Sequence, residues 1–327
     1  MYKPLLDCLT TQSAIRMLRH KFEENLCDVL NLRRVSAPLF VKENSGLNDN
    51  LNGVERPVKF DVLQTGENLE IVHSLAKWKR YALSKYNFAM HTGLYCDMNA
   101  IRRDETVDEI HSIYVDQWDW EKVISAEDRT REYLEDTVKR IYSAILLTAD
   151  YVEREYPVLH NYLPRGIKFI TSTELYNKYP GKTAKERETL AAKEYGAIFV
   201  IGIGDDLPDG TKHDLRAPDY DDWALNGDII VYNKVTEKAF EVSSMGIRVD
   251  KKSLVSQLEK ANVRQRKELP FHKALLEDKL PLTIGGGIGQ SRLSMLLLQK
   301  AHIGEVQASV WPDEEIEKAK NRGITLL

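Results

Sequence analysis

Two pairs of strand-like segments, each joined by a connection too short for a crossover helix, constrain this chain more than any other feature. Gly93 to Arg102 and His111 to Glu121 flank the acidic connection Arg103 to Ile110, and Gly227–Asn233 with Ala239–Val249 repeats the arrangement. Parallel strands need about a dozen connecting residues or more, so both pairs predict antiparallel hairpins. Around them, residues 10–30 (Ile15, Leu18, Phe22, Leu26) and 126–155 (Val138, Ile141, Ile145, Val152) carry apolar side chains three or four apart and predict amphipathic helices. Thr10 or Thr11 is the candidate cap of the first. Shorter strands are expected at 35–41, 57–63, 69–74, 167–171 and 197–204, and helices at 75–83 and 183–195. A Gly-rich turn, Gly285 to Gly289, leads into an apolar helix, Gln290 to Gln299. With no repeat, low-complexity stretch or linker, the expectation is one α+β domain over 1–327, a mostly antiparallel sheet flanked by helices.

Composition narrows the function classes. Lys plus Arg total 46 and Asp plus Glu 50, a net charge of −4 without the basic excess of a nucleic-acid binder. The strongest apolar run, Ala197 to Gly204, falls far short of the roughly 20 residues of a membrane span. Three cysteines, Cys8, Cys27 and Cys96, form no C-x-x-C pair and no disulfide framework. A cytoplasmic protein with neither nucleic-acid nor membrane partner is expected. Some motif fragments fail on inspection. Gly181-Lys182-Thr183 ends like a phosphate-binding P-loop, but Tyr176 stands where its first glycine is required. Gly202-x-Gly204 and Gly285-x-Gly287 lack the third glycine of a dinucleotide fingerprint, those positions being Leu207 and Gln290. The histidines show no zinc-site spacing.

Five constellations could carry chemistry. In the first, Gly285, Gly287 and Gly289 alternate before Arg292, which sits in the first turn of a helix. A cation there opposes the helix dipole, and a base lying under the guanidinium plane would compensate, with glycines lowering the floor beneath it. A tight packing turn with a snorkelling Arg explains it equally. In the second, Arg102 ends a strand beside an acidic loop, well placed to grip a phosphate, though a solvated strand tip is the blander reading. Gln117 and Asp119 share a face of the return strand. In the third, Glu241 and Ser243 share a strand face, Gly246 offers a bulge that re-aims Arg248, and the opposing strand supplies Asp228. Carboxylates on adjacent strands suit Mg²⁺ bridging nucleotide phosphates, or else a plain cross-strand ion-pair surface. The fourth, His73 to Arg80, and the fifth, Arg216 to Trp223, read singly as solvated charged surface.

Taken together these pieces resemble the three motifs of the class II aminoacyl-tRNA synthetase catalytic core. Val35-x-x-Pro38-Leu39-Phe40 is similar to the end of motif 1, a dimer-interface element. Arg102-x-Asp104 with His111-x-x-x-Val115-x-x-x-Asp119 is similar to motif 2, and Gly285-x-Gly287-x-Gly289-x-x-Arg292 to motif 3, with Ser291 in place of the usual glutamate. Over the whole chain, segments such as His73–Arg80, Tyr114–Glu121, Arg216–Trp223, Ser243–Val249 and Thr283–Leu293 resemble ammonia-dependent asparagine synthetase, the aspartate–ammonia ligase family.

That resemblance implies a homodimer that uses ATP and Mg²⁺ to convert L-aspartate and ammonia into asparagine through a β-aspartyl-adenylate. Asp49, Arg102 and Gln117 are then the catalytic candidates, Asp49 for the ammonium and Arg102 for the α-phosphate. Arg292 would stack on adenine above Gly287 and Gly289, and Asp228 and Glu241 would carry the metal. Lys79, Ser244 and Arg248 would grip the aspartate carboxylates. Ser74, Gln117 and Asp119 would fix its other polar groups, and Arg216 and Asp221 would complete the pocket. Two other readings stay open, an aspartyl- or asparaginyl-tRNA synthetase and a non-catalytic synthetase-like regulator.

Overall fold

The computed structural model describes residues 2–51 and 53–327. In chain order the elements are α1 (Cys8–Leu30), β1 (Leu32–Arg34), β2 (Phe40–Lys42), β3 (Lys59–Asp61), β4 (Asn68–Ile71), α2 (Ala76–Lys85), β5 (Gly93–Ile101), β6 (Tyr114–Val123) and α3 (Arg131–Glu155). They continue with β7 (Lys168–Thr171), α4 (Ser172–Lys178), α5 (Ala184–Tyr195), β8 (Ala197–Ile201), β9 (Asp221–Asn233) and β10 (Lys238–Arg248). The last are α6 (Lys251–Lys260), α7 (Pro270–Leu276), β11 (Thr283–Gly289), α8 (Gln290–Leu297) and α9 (Asp313–Asn321).

Both expected hairpins form, β5–β6 and β9–β10, and both are antiparallel. They join in an eight-stranded sheet of order β1-β5-β6-β11-β10-β9-β8-β7. Only its two edges are parallel, β1 on β5 and β7 on β8. A small sheet, β2-β4-β3, stands apart. The Gly-rich segment is not a turn but a central strand. β11 pairs with β6 from Thr283 to Gly289 and with β10 from Ile284 to Ile288. Glycine lacks strand propensity, and here two paired neighbours supply the ladder that its side chain cannot support.

One face of the sheet packs on α1 and α3. Leu18, Phe22 and Leu26 of α1 and Ile141 and Ile145 of α3 meet Trp118, Trp120, Val231 and Ile288 in one buried cluster. Each such side chain contributes about 1.5–3 kcal/mol on leaving water. Phe22 lies 4.6 Å from the Trp118 ring. Helix α1 is capped by Asp7, not by Thr10 or Thr11: the Asp7 carboxylate accepts from Thr10 N at 2.9 Å. It ends at Asn31, whose φ of 59° lies in the left-handed region. The opposite face is covered only at its sides. Around α2 and β5, Leu75, Cys96 and Met98 form one cluster, and under α4 and α5, Leu175, Ala191 and Val200 form another. Between them the middle strands β6, β11 and β10 lie open, and the cavity sits there. Among the described residues no helix is long and apolar enough to cross a membrane.

Candidate active site

A cavity of about 390 Å³ opens over β6, β11 and β10. Of the residues singled out from the sequence, Asp49, Ser74, Lys79, Arg102, Gln117, Asp119, Arg216, Asp221, Glu241, Ser244, Arg248, Gly287, Gly289 and Arg292 all line it. Asp228 does not. It lies behind Arg216, with which it forms a close ion pair.

The strand period explains the floor. Gln117, Asp119 and Glu121 alternate along β6 and sit opposite Gly289, Gly287 and Gly285 of β11. A Cβ on Gly287 would collide with the Gln117 amide oxygen and come 2.7 Å from Asp119 Oδ1. One on Gly285 would come 2.6 Å from Glu121 Cδ and 2.7 Å from Arg248 Nη2. Polar side chains on β6 therefore occupy the space that the glycines vacate.

At the Gly285 end the charges are buried and mutually tied. Arg248 Nε and Nη2 donate to Glu121 at 3.0 and 2.8 Å, and Nη1 meets Asp221. Glu121 also accepts from Thr283 Oγ1 at 2.7 Å. Burial would raise the Glu121 carboxyl, but Arg248, Lys79 and Thr283 outweigh it and hold the group below its ordinary value. Asp221 is pushed upward, burial prevailing over Arg248. Lys79, fully buried, donates to Gly286 O at 2.9 Å and lies 3.4 Å from Asp119 Oδ1. Asp49 accepts from Ser74 Oγ and Leu51 N, each at 2.8 Å. Burial and the charge of Asp49 drive the neighbouring Tyr220 phenol well above its usual range.

The Gly289 end is more open. Arg102 Nε is buried with no hydrogen-bond partner. Arg292 Nη1 donates to the Glu241 carbonyl at 3.1 Å and lies 3.5 Å from its carboxylate. Ser291, where the motif carries glutamate, donates N and Oγ to Asp116 at 3.0 and 2.7 Å. Asp116, on the neighbouring strand β6, thus satisfies the first turn of α8, the turn that carries Arg292. On β10 the register shifts twice, between Glu241 and Ser243 and again between Gly246 and Arg248. The second places its extra residues on β9, between Asp221 and Asn226, and not at Gly246 as expected, and it sets Arg248 opposite Asp221. The first overturns the expected shared face of Glu241 and Ser243, because the extra residue Val242 turns Glu241 and Ser244 to the cavity instead. Burial and Glu241 press the Asp228 carboxyl above the usual range despite Arg216, while Arg292 and Arg216 hold Glu241 below it against burial.

Both charged segments expected to be solvated are interior. Lys77, Lys79 and Arg80 are all buried, Arg80 donating to Pro281 O and Val249 O at 2.8 and 2.7 Å, and its pKa is lowered by burial to about 10. Beneath the 216–221 loop, Asp219 gathers Lys77 at 3.1 Å, His272 at 2.9 Å and Arg266 at 3.3 Å. Sequence reasoning assigned no role to Glu121, Asp219 or Asp116. Glu121 was accessible through the same period that placed Gln117 and Asp119. For Asp219 and Asp116 no local signal exists.

An open-faced antiparallel sheet with its glycine strand and paired arginines defines a class II aminoacyl-tRNA synthetase-like catalytic core. Solved structures agree: asparaginyl-tRNA synthetase from Pyrococcus horikoshii, complexed with asparaginyl-adenylate, superposes with a TM-score of 0.65 at 14% identity, over 93% of this chain and 70% of that one. The Entamoeba histolytica enzyme with asparaginyl-adenylate gives 0.63 at 14% identity, covering 92% of this chain and 66% of its own. Within that class the sequence is specific. The family model for aspartate–ammonia ligase matches residues 9–323, and the chain belongs to that family. Relatives named aspartate–ammonia ligase include one from Clostridium perfringens, 58% identical over all of this chain and 97% of its own, and one from Bacillus cytotoxicus, 59% identical over the full length of both. The chain is thus a carbon–nitrogen ligase that forms asparagine from aspartate and ammonia.

Proposed function

We propose that both steps of the ligation occur in this cavity, with ATP as activating substrate and Mg²⁺ as its companion ion. The aspartate side-chain carboxylate attacks the α-phosphorus, pyrophosphate leaves, and a β-aspartyl-adenylate remains. Ammonia then adds to the acyl carbon and AMP departs with the carboxylate oxygen it gained. The observation that carries this reading is the division of the cavity along β11. Anchored Lys79 and Arg248 gather at the Gly285 end, suited to a dicarboxylate, and Arg102 with its unpaired Nε lies with Arg292 at the Gly289 end, suited to a nucleotide. Arg102 binds the α-phosphate and offsets the charge that develops on it. Arg292 covers the base. Gln117 and Asp119 orient the amino acid, Asp119 with Ser74 taking its ammonium group, and Ser244 reaches its carboxylate. Asp49 directs the incoming ammonium and accepts its proton.

The residues present fit Mg²⁺. Asp228 and Glu241 are hard oxygen donors on adjacent strands, and Asp228 Oδ1 is buried without a hydrogen-bond partner. When bound there, the ion would neutralise phosphate charge. Aspartate labelled with ¹⁸O in its side-chain carboxylate tests the chemistry: one label should appear in AMP when ATP and ammonium are present. Formation of ADP, or unlabelled AMP, overturns it, and acylation of tRNA in place of asparagine formation selects the synthetase reading. The functional unit we propose is a homodimer through the 32–41 segment, where β1 is a sheet edge and Leu39 and Phe40 are 46% and 43% exposed. Sedimentation as a 37.5 kDa species at micromolar concentration contradicts that.

A further inference from the structure

The two carboxylates assigned above to the metal are not free. Each is held by an arginine that also lines the nucleotide cavity: Asp228 by Arg216 in a close ion pair, Glu241 by Arg292 at 3.5 Å. Arg216 Nε has no hydrogen-bond partner, although the atom is buried. Its nearest other acid is Asp214, 4.0 Å away and itself 63% exposed. Its guanidinium is therefore committed to Asp228 at one end only.

We infer that Arg216 is a tethered counter-ion that closes the magnesium site until the nucleotide arrives. The inference rests on the metal assignment of the preceding subsection. Asp228 is interior, and an interior carboxylate without a cation is costly, so some positive charge must stay with it. Arg216 supplies that charge from within the chain. A divalent ion arriving alone would meet two carboxylates already matched by two guanidinium groups, and it would have to leave its own water shell to displace one of them. A triphosphate changes the balance. It brings an excess of negative charge into the cavity beside Arg216 and a base for Arg292 to cover, gives both guanidinium groups new partners, and frees the carboxylate oxygens for a metal. Metal and nucleotide are then coupled thermodynamically, each raising the affinity for the other by the same factor. Arg216 is in this sense a positioning residue that sets the order of assembly.

Mn²⁺ serves as the probe, because its free ion is counted directly by electron paramagnetic resonance and no turnover is needed. Without nucleotide, wild-type protein should bind Mn²⁺ at least about tenfold more weakly than the Arg216→Met variant. Adding Asp228→Asn to that variant should abolish the gain, which ties it to this carboxylate. Equal Mn²⁺ binding by wild type and Arg216→Met overturns the inference. So does tight Mn²⁺ binding by nucleotide-free wild type, a measurement that stands even where Arg216→Met does not fold. With α,β-methylene-ATP, whose bridging carbon prevents adenylation, wild type should enhance water-proton relaxation by the bound Mn²⁺. If it does not, the metal assignment itself falls, and the inference with it. Enhancement with the analogue but no gain in Arg216→Met overturns the inference alone.

Discussion

Two glycines on one strand should fail in opposite ways when each receives a methyl group. At Gly287 the new Cβ meets the Gln117 amide oxygen and lies 2.7 Å from Asp119 Oδ1. Gln117 is a flexible side chain facing an open cavity and can swing aside, but Asp119, held by Leu75 N and Lys79, must also give by a few tenths of an ångström. Gly287→Ala should therefore cost about 1–3 kcal/mol of stability. Function should suffer far more. The methyl group and the displaced amide both stand where the amino acid is oriented, and misplacement by about 1 Å can cost about a hundredfold in rate. At Gly285 the Cβ runs into the Glu121 carboxyl group, which is fully buried and fixed by Arg248 and Thr283. Moving Glu121 breaks a buried ion pair, so Gly285→Ala should cost about 3–5 kcal/mol. Urea unfolding of both variants and steady-state kinetics of Gly287→Ala, with aspartate varied, make the comparison. The reasoning is refuted if the two variants lose equal stability, or if Gly287→Ala keeps kcat/KM within about twofold of wild type.

Arg102→Ala should lower kcat by about a hundredfold or more through loss of transition-state charge compensation, whereas Arg292→Ala should mainly raise the KM for ATP, about five- to thirtyfold; initial rates with ATP varied separate the two. Asp219→Asn should lower unfolding free energy by about 3–5 kcal/mol, because Lys77 and Arg266 lose a buried partner, and urea titration reads this directly. Glu121 titrates below its ordinary value of 4.5 in the folded protein, so its stabilisation is complete above that pH and is lost as the pH falls through the lower folded value. Wild type should therefore lose stability more steeply than Glu121→Gln as unfolding curves are taken from pH 5 down to about 3.

Periodicity carried the fold as far as periodicity exists. The hairpins β5–β6 and β9–β10 and the helices α1 and α3 each present a regular apolar stripe, and all four form, although β9 begins at Asp221, six residues before the expected Gly227, and α3 at Arg131, five after its expected start. The glycine strand β11 has no side-chain pattern to read, so only its tertiary neighbours define it as a strand. The parallel edge β7 falls where a strand was expected, at 167–171, whereas β1 lies before the expected 35–41 segment, is too short to show a period, and is made a strand by its pairing with the distant β5. In the site, alternation along β6 placed Gln117 and Asp119 correctly, and Lys79, Arg248 and Ser244 converge on the same cavity as the resemblance implied. Asp228 stands on the strand opposing Glu241, as expected, across from Ser244, but the extra residue at Val242 that turns Glu241 and Ser244 rather than Ser243 to the cavity has no local signal. A bulge is a decision of the sheet rather than of the local sequence. The burial of His73–Arg80 is a related failure: Lys77 finds its partner Asp219 142 residues away, and nothing near Lys77 announces it.

The same geometry explains why the two ends of the cavity differ in rigidity. Lys79, Asp119, Glu121 and Arg248 are fully buried, stand on elements of the sheet or on α2, and satisfy one another through direct hydrogen bonds or ion pairs. A carboxylate substrate bound there meets charges whose positions are already fixed, so little reorganisation is required as it attacks. The nucleotide end depends instead on Arg102 at the start of the 102–113 connection and on Arg216 in a loop held partly by Asp228. Arg56, from the loop that also carries Asp49, reaches across to Asp104 there, its N and Nε donating at 2.8 and 3.0 Å. Such exposed pairs are weak, contributing about 0–1 kcal/mol each, and can open without disturbing the sheet. In the proposed reaction pyrophosphate and AMP are held at this end. The proposed chemistry calls for a rigid end for the reacting carboxylate and a loosely fastened end for the departing phosphates, and the fold supplies both by placing the first on paired strands and α2 and the second on connecting loops.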